Sequence, residues 1–355
     1  MIVLLIILIC IVFGGLKVAD SDGFFDDYIS KEQTTNINGI FTILVVFSHA
    51  AGYLKLSGSL DEPYLTFKSF MSQLVVVTFL FYSGYGIMES FKKKGMGYIR
   101  TIPTKRFLKV LYHFDIAVLL YLILDLILKI SYKPKDIILA FTGWTSIGNS
   151  NWYIFVVLVM YVFVFLSFLL TRGNKYAATA LTVAFAVAFV YWNIRIKRPS
   201  YCYNTAILFP AGMAFSLFKN QFDRFMTKKD IVWFSVTGLS VLLFAYFYSL
   251  RKNGIEFYTI WACLFMMIIV ELSMKIKIGN NILHWFGTHV FSVYILQRLP
   301  MMVLRHLGFA GHRYAFIIIS FAVTVVLAVW FDFAMKKLDG ILFSGKNKLI
   351  RRKSL

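Results

Sequence analysis

Apolar residues in this chain come in long unbroken runs. They do not alternate as on a half-buried strand. "MIVLLIILICIVFGG", "FVVLVMYVFVFLSFLLT" and "FIIISFAVTVVLAVWF" each approach or reach the length that crosses about 30 Å of hydrocarbon. Run length predicts eleven spans, at residues 2–16, 37–55, 69–89, 107–130, 152–171, 176–194, 203–219, 231–249, 255–274, 286–304 and 314–335. The segment 140–150, AFTGWTSIGNS, is too polar to span and reads as a loop or re-entrant piece. The fold class that follows is an all-α integral membrane protein with about eleven transmembrane helices.

Composition supports that class. Only 15% of residues are charged, against about 25% in soluble domains. The net charge of +20 would suggest nucleic acid for a soluble protein. In a membrane protein it reflects basic residues retained in cytoplasmic loops, and no nucleic-acid partner is expected. The tail carries Lys336, Lys337, Lys346, Lys348, Arg351, Arg352 and Lys353, which places it in the cytoplasm and, with eleven spans, the N-terminus outside. Arg195, Lys197 and Arg198 run against that rule. The tail either lies on the anionic leaflet or is a disordered basic segment. Residues 1–16 lack a basic n-region and a small-residue cleavage site, so they read as a retained helix rather than a removed leader. Cys10, Cys202 and Cys263 show neither metal spacing nor a disulfide framework.

Polar groups inside spans mark candidate chemistry. In "NINGIFTILVVFSHA" eleven residues separate Asn38 from His49, close to three full turns. Asn38, Thr42 and His49 therefore share a face over about 16 Å of rise. That stripe must face the bundle interior or a wet cavity. An imidazole there either exchanges a proton near neutral pH or packs against a carbonyl. In "FLFYSGYGIMES", Ser83 and its glycines interrupt an apolar helix, either for close helix packing or as a backbone opening beside a ligand. The basic loop "FKKKGMGYIRTIPTKRFLK" holds Lys92, Lys93, Lys94, Arg100, Lys105 and Arg106, a topology signal that also suits a polyphosphorylated cofactor. Asn151, Trp152 and Tyr153 stand at an outer interface, as an aromatic belt or a sugar platform. Gln297 and Arg298 lie within the tenth span. The arginine requires a partner, which is Glu271, Asp115, Asp125, Asp332 or a substrate. No Walker motif, GxSxG, metal-ligand cluster or dinucleotide fingerprint is present, so ATP-driven transport and serine hydrolysis lose support, and no metal site is expected.

In order, "LVVFSHA", "FLFYSGYGI", "YIRTIPTKRFLKVL", "NWYIFVVLVMY", "FPAGMAF" and "FGTHVFSVYILQRLP" resemble the acyltransferase-3 family of bacterial membrane O-acyltransferases, over roughly residues 36–335. The resemblance implies three regions: an extra N-terminal helix and connector (1–35), a ten-helix acyltransferase domain (36–335) and a basic cytoplasmic tail (336–355). It implies transfer of an acyl group, commonly acetyl from cytoplasmic acetyl-CoA, to a hydroxyl of an extracytoplasmic polysaccharide or lipid-linked sugar. The setting would be the bacterial cytoplasmic membrane. By the same resemblance His49 is the catalytic histidine. Asn38, Ser83 and the six cations from Lys92 to Arg106 serve the acyl-CoA, and Asn151, Trp152, Tyr153, Gln297 and Arg298 meet the acceptor. The family usually carries Arg or Lys at the place of Asn38 and often His at the place of Gln297. A transporter or flippase of a lipid-linked sugar shares many of these features but not a need for acyl-CoA. A glycan polymerase is expected to carry a large external loop, which this chain lacks.

Overall fold

Ser30 starts the helix that carries the candidate histidine: its side chain accepts from the Gln33 N–H at 3.2 Å, satisfying one orphan donor. That helix is preceded by α1 (Ile2–Phe13) and the strand β1 (Leu16–Val18), and is itself α2 (Lys31–Ala51). The structure, a computed structural model, describes residues 1–352, with side chains through residue 342. Tail cations from Lys346 onward lie outside the described side chains.

The chain continues as α3 (Glu62–Met71), α4 (Val77–Ile99), α5 (Lys109–Ile127), α6 (Pro134–Ala140), α7 (Trp152–Leu170), α8 (Lys175–Arg195), α9 (Leu208–Met226), α10 (Asp230–Leu250) and α11 (Ile255–Lys275). It ends with β2 (Ile276–Ile278), α12 (Asn281–Thr288), α13 (Val290–Leu296), α14 (Arg298–His306) and α15 (Arg313–Arg352). The molecule is an all-α membrane protein. By length and composition, seven helical stretches among the described residues can cross a bilayer. The remaining passes expected from run length are shorter or more polar. The first is a helix of 12 residues, and the tenth is broken into α12, α13 and α14.

Three local departures from the sequence expectation matter. The basic stretch is not a loop. Lys92–Lys94 ride on the last turns of α4, which kinks where Gly95 adopts a positive φ of 56°. Lys105 and Arg106 sit in a π-helical turn, Pro103–Leu108, that feeds α5. Nor is α4 interrupted at Ser83-Gly84-Tyr85-Gly86. A Cβ on Gly84 would stand 1.9 Å from the Phe209 carbonyl oxygen, and one on Gly212 2.0 Å from that of Phe81. These glycines let the α4 and α9 backbones touch, as small residues do between membrane helices. Finally, β1 pairs antiparallel with β2, with Lys17 opposite Lys277. The like charges are relieved by Asp27, which ion-pairs with Lys277. The hydrogen bond from that ammonium holds the Asp27 carboxyl below its usual range.

At the opposite end, buried Asp61 ties α1 and α15 together. It binds Arg313, accepts from the Gly58 N–H at 3.2 Å and lies 3.4 Å from the Met1 nitrogen. Removing its charge strands a guanidinium. We expect Asp61→Asn to lower stability by about 1–3 kcal/mol. A thermal melt in detergent, with Arg313→Gln in a double-mutant cycle, should show strong coupling.

Candidate active site

The 141–151 loop is built to hold a fixed shape. Gly143 and Gly148 take positive φ values of 73° and 89°, a backbone region glycine enters without steric cost. The Asn151 side-chain amide donates to the Gly143 carbonyl at 2.8 Å, and Ser146 Oγ donates to the Asn149 carbonyl at 2.7 Å. Arg198 lies over the Trp144 ring at 3.8 Å and donates to its carbonyl at 2.8 Å. This gives a physical reason for one cation that runs against the charge rule: it clamps the loop.

The clamped loop delivers Ser150 to the end of α2, with its Oγ 3.4 Å from His49 Nδ1. Tyr294 of α13 faces the same imidazole, ring centres 6.2 Å apart. The histidine opens into a cavity of about 600 Å³, lined by the 146–152 segment, Tyr53, Tyr201, Lys68, Arg298 and Arg305 among others. A second cavity of about 460 Å³ lies on the far side of Tyr153 and Tyr294. Its basic end holds Lys105, Arg106 and Lys109, and its walls include Val110, Ile154, Val157 and Phe291. Tyr294 lines both cavities. The Tyr153 and Tyr294 rings meet edge to face at 5.4 Å, so Tyr294 stands between the two spaces with Tyr153 against it on the basic side.

The structure sorts the expected residues. Asn151 and Trp152 border the His49 cavity, as does Arg298, while Tyr153 lines the basic cavity instead. Arg298 has none of the acidic partners considered from sequence, and its Nε has no hydrogen bond. Glu271 accepts from Ser240 at 3.0 Å, and Asp332 accepts from Ser292 at 3.0 Å beside His289. Asp125 is buried without a hydrogen-bond partner for its carboxylate, and Asp115 has one unpartnered oxygen. Gln297 is fully buried, donates to the Tyr294 carbonyl at 3.1 Å and interacts with His49 through its side chain.

Of the six cations, Lys105 and Arg106 reach the basic cavity. Lys92 is occupied by Glu89 at 2.8 Å and the Ser216 carbonyl at 2.5 Å. Lys93, Lys94 and Arg100 line neither cavity. Ser83 sits 3.5 Å from Tyr161, a basic-cavity residue. Asn38 lines neither cavity, although its Oδ1 is buried and unpartnered.

Lys109 and His113 join the basic cavity, and sequence reasoning passed over both. A signal existed for them: Lys109 is three residues past Arg106, one helical turn along. Ser150 and Tyr294 come from segments far away along the chain and gave no signal.

These segments are the ones a family comparison recognises. A family model for acyltransferase-3, described as an acyltransferase domain, matches residues 36–333. The chain belongs to the acyltransferase-3 family. Comparisons with curated proteins and with solved structures give no match. As an acyltransferase-3 protein it is a multi-pass membrane acyltransferase. The matched region includes the lining residues of both cavities, Lys68, Lys105, Ser150, Tyr294 and Arg298 among them.

Proposed function

We propose that this acyltransferase moves an acetyl group from acetyl-CoA, bound from the cytoplasm, to a hydroxyl of a polysaccharide or lipid-linked sugar outside, in a bacterial cytoplasmic membrane. The observation that carries this reading is the pair of cavities that share Tyr294 beside His49. A donor and an acceptor can meet there without either crossing the bilayer.

The basic cavity suits a phosphate-bearing thioester. Lys105, Arg106 and Lys109 offer charge-assisted bonds at one end, and the apolar walls suit an uncharged arm. Acetyl-CoA supplies the activated acyl carbon. His49 accepts the proton of the acceptor hydroxyl as that oxygen bonds to the acetyl carbon. It returns the proton to the sulfur as the carbon–sulfur bond breaks. Ser150 orients the imidazole through Nδ1. Asn151 and Trp152, with Tyr201, border the space for the sugar. Gln297 braces the Tyr294 backbone, and Arg298 faces the acceptor.

The test is the glycan itself. NMR of surface polysaccharide from strains with and without the gene should show loss of O-acetyl signals with the polymer intact. Loss of the polymer would instead support export of a lipid-linked sugar.

The basic cavity also makes a prediction of two opposite signs. Asp339 of α15 binds Lys109 at 2.5 Å and lies 3.1 Å from His113 Nε2, so it competes with an incoming anion for the same cation. Asp339→Asn should lower KM for acetyl-CoA, and Arg106→Gln should raise it, each by roughly tenfold or 1.4 kcal/mol. Steady-state transfer kinetics in nanodiscs measure both.

A further inference from the structure

We propose that the acceptor is an anion, a glycan carrying phosphate or carboxylate groups, held by Lys68, Arg298 and Arg305. This rests on the acyl-transfer reading and adds the acceptor's chemical class.

Three cations border the His49 cavity among the described residues, and no carboxylate does. None of the three forms an ion pair among the described residues, where Asp61, for instance, is engaged by Arg313. Arg298 Nε is buried without a hydrogen bond. Arg305 is exposed and lies 5.8 Å from the Tyr53 ring. Arg298, partly buried with its Nε unbonded, carries the cost of a cation held inside a membrane bundle, while Lys68 is partly buried and Arg305 stands at the cavity rim. Retention rules do not account for these cations, because they concentrate Lys and Arg at the other end of the bundle.

A neutral sugar does not account for the charge. Its hydroxyls can accept from the cations but bring no charge to balance them, and Asn149, Ser150 and the aromatic rings already provide polar and stacking contacts in the cavity. An anionic group accounts for all three cations together. Arg298 offers a planar fork suited to bidentate binding of phosphate or carboxylate. Lys68 and Arg305, on α3 and α14, add point charges from two sides.

The experiment measures binding without turnover. Wild-type protein in phosphatidylcholine nanodiscs, with no acetyl-CoA, is titrated by calorimetry with trigalacturonate, a glycerol-phosphate trimer and maltotriose. At least one anionic probe should bind ten or more times tighter than maltotriose, with affinity that falls as salt rises. Lys68→Gln and Arg305→Gln should each weaken that probe about threefold to tenfold, and Arg298→Gln more. Should Arg298→Gln fail to fold, the two rim variants carry the test. Preference between the two anions tells carboxylate from phosphate, and either supports the proposal. Equal binding of maltotriose, no anion binding, or indifference to Lys68→Gln and Arg305→Gln would overturn it. Labelled acetyl passing equally to maltotriose would overturn the anion claim while leaving acetyl transfer standing. Anion preference without transfer to any acceptor would overturn acetyl transfer alone.

Discussion

Replacing His49 by alanine is expected to lower acetyl transfer by about 10²–10⁴-fold, the range over which a positioned general base contributes. The protein should still fold and insert. The ring sits beside a cavity, 3.4 Å from Ser150 Oγ, with Gln297 and the Tyr294 ring as further neighbours, so its loss opens onto space that is already there. The ratio of kcat to KM carries the information. A base acts in the transition state, so kcat and kcat/KM should fall together while KM for acetyl-CoA changes little. Ser150→Ala should give a smaller fall of the same kind, since in the proposed reaction its 3.4 Å contact orients the base. Retained activity in His49→Ala, with the protein folded in a thermal melt, would remove the histidine from the chemistry.

The second large effect comes from a residue that touches no substrate. Gly39 lies on α2 where that helix presses on α12. A Cβ at Gly39 would be 2.0 Å from the Leu283 carbonyl oxygen, and one at Gly287 1.8 Å from that of Thr35. Both clashes are with backbone, so neither can be relieved by rotating a side chain. Gly39→Ala must push α2 off α12. The strain is expected to cost about 1–3 kcal/mol, visible as a lower melting temperature. The activity loss should be larger than the stability loss suggests. α2 carries His49, while α13 and α14 carry Tyr294 and Arg298, and a displacement of about 1 Å between reacting groups can cost about 10²-fold. Gly86→Ala is the control. Nothing lies within 4 Å of a Cβ there, so a helix-favouring alanine should leave stability and transfer unchanged or slightly improved.

The histidine was legible because a polar residue in an apolar run must be explained, and the 3.6-residue period puts it on an inward stripe. Asn38 also faces inward, with its Oδ1 buried, but away from both cavities. It shares the stripe, but the stripe is longer than the cavity, and α12 covers α2 at Gly39. The cations were legible as a group and misplaced individually. Clustering in sequence says that charge is concentrated at one end. Whether Lys92 faces a cavity or is spent on Glu89 and the Ser216 carbonyl depends on where α9 lies.

The partner of Arg298 shows the limit most clearly. Four carboxylates were open to it from sequence, and the fold gives it none of them. A one-dimensional reading can say that a buried charge needs compensation. It cannot say that no carboxylate among the described residues pairs with Arg298, because that is a statement about every neighbour at once.

For this protein, then, the amino-acid order alone settles the membrane class, the approximate run of helices and the family, and it singles out His49 as a polar residue within an apolar helix. Each follows from local hydrophobic length or from short motifs kept in order. Tertiary structure alone decides that Tyr294, with Tyr153 packed against it, borders two cavities at once. It likewise decides that Ser150 arrives at His49 across 101 residues of chain, and that three cations face one space without a carboxylate. These depend on contacts between helices distant in sequence, and in a bilayer such contacts are set by packing and polar satisfaction rather than by a hydrophobic pattern that every helix shares.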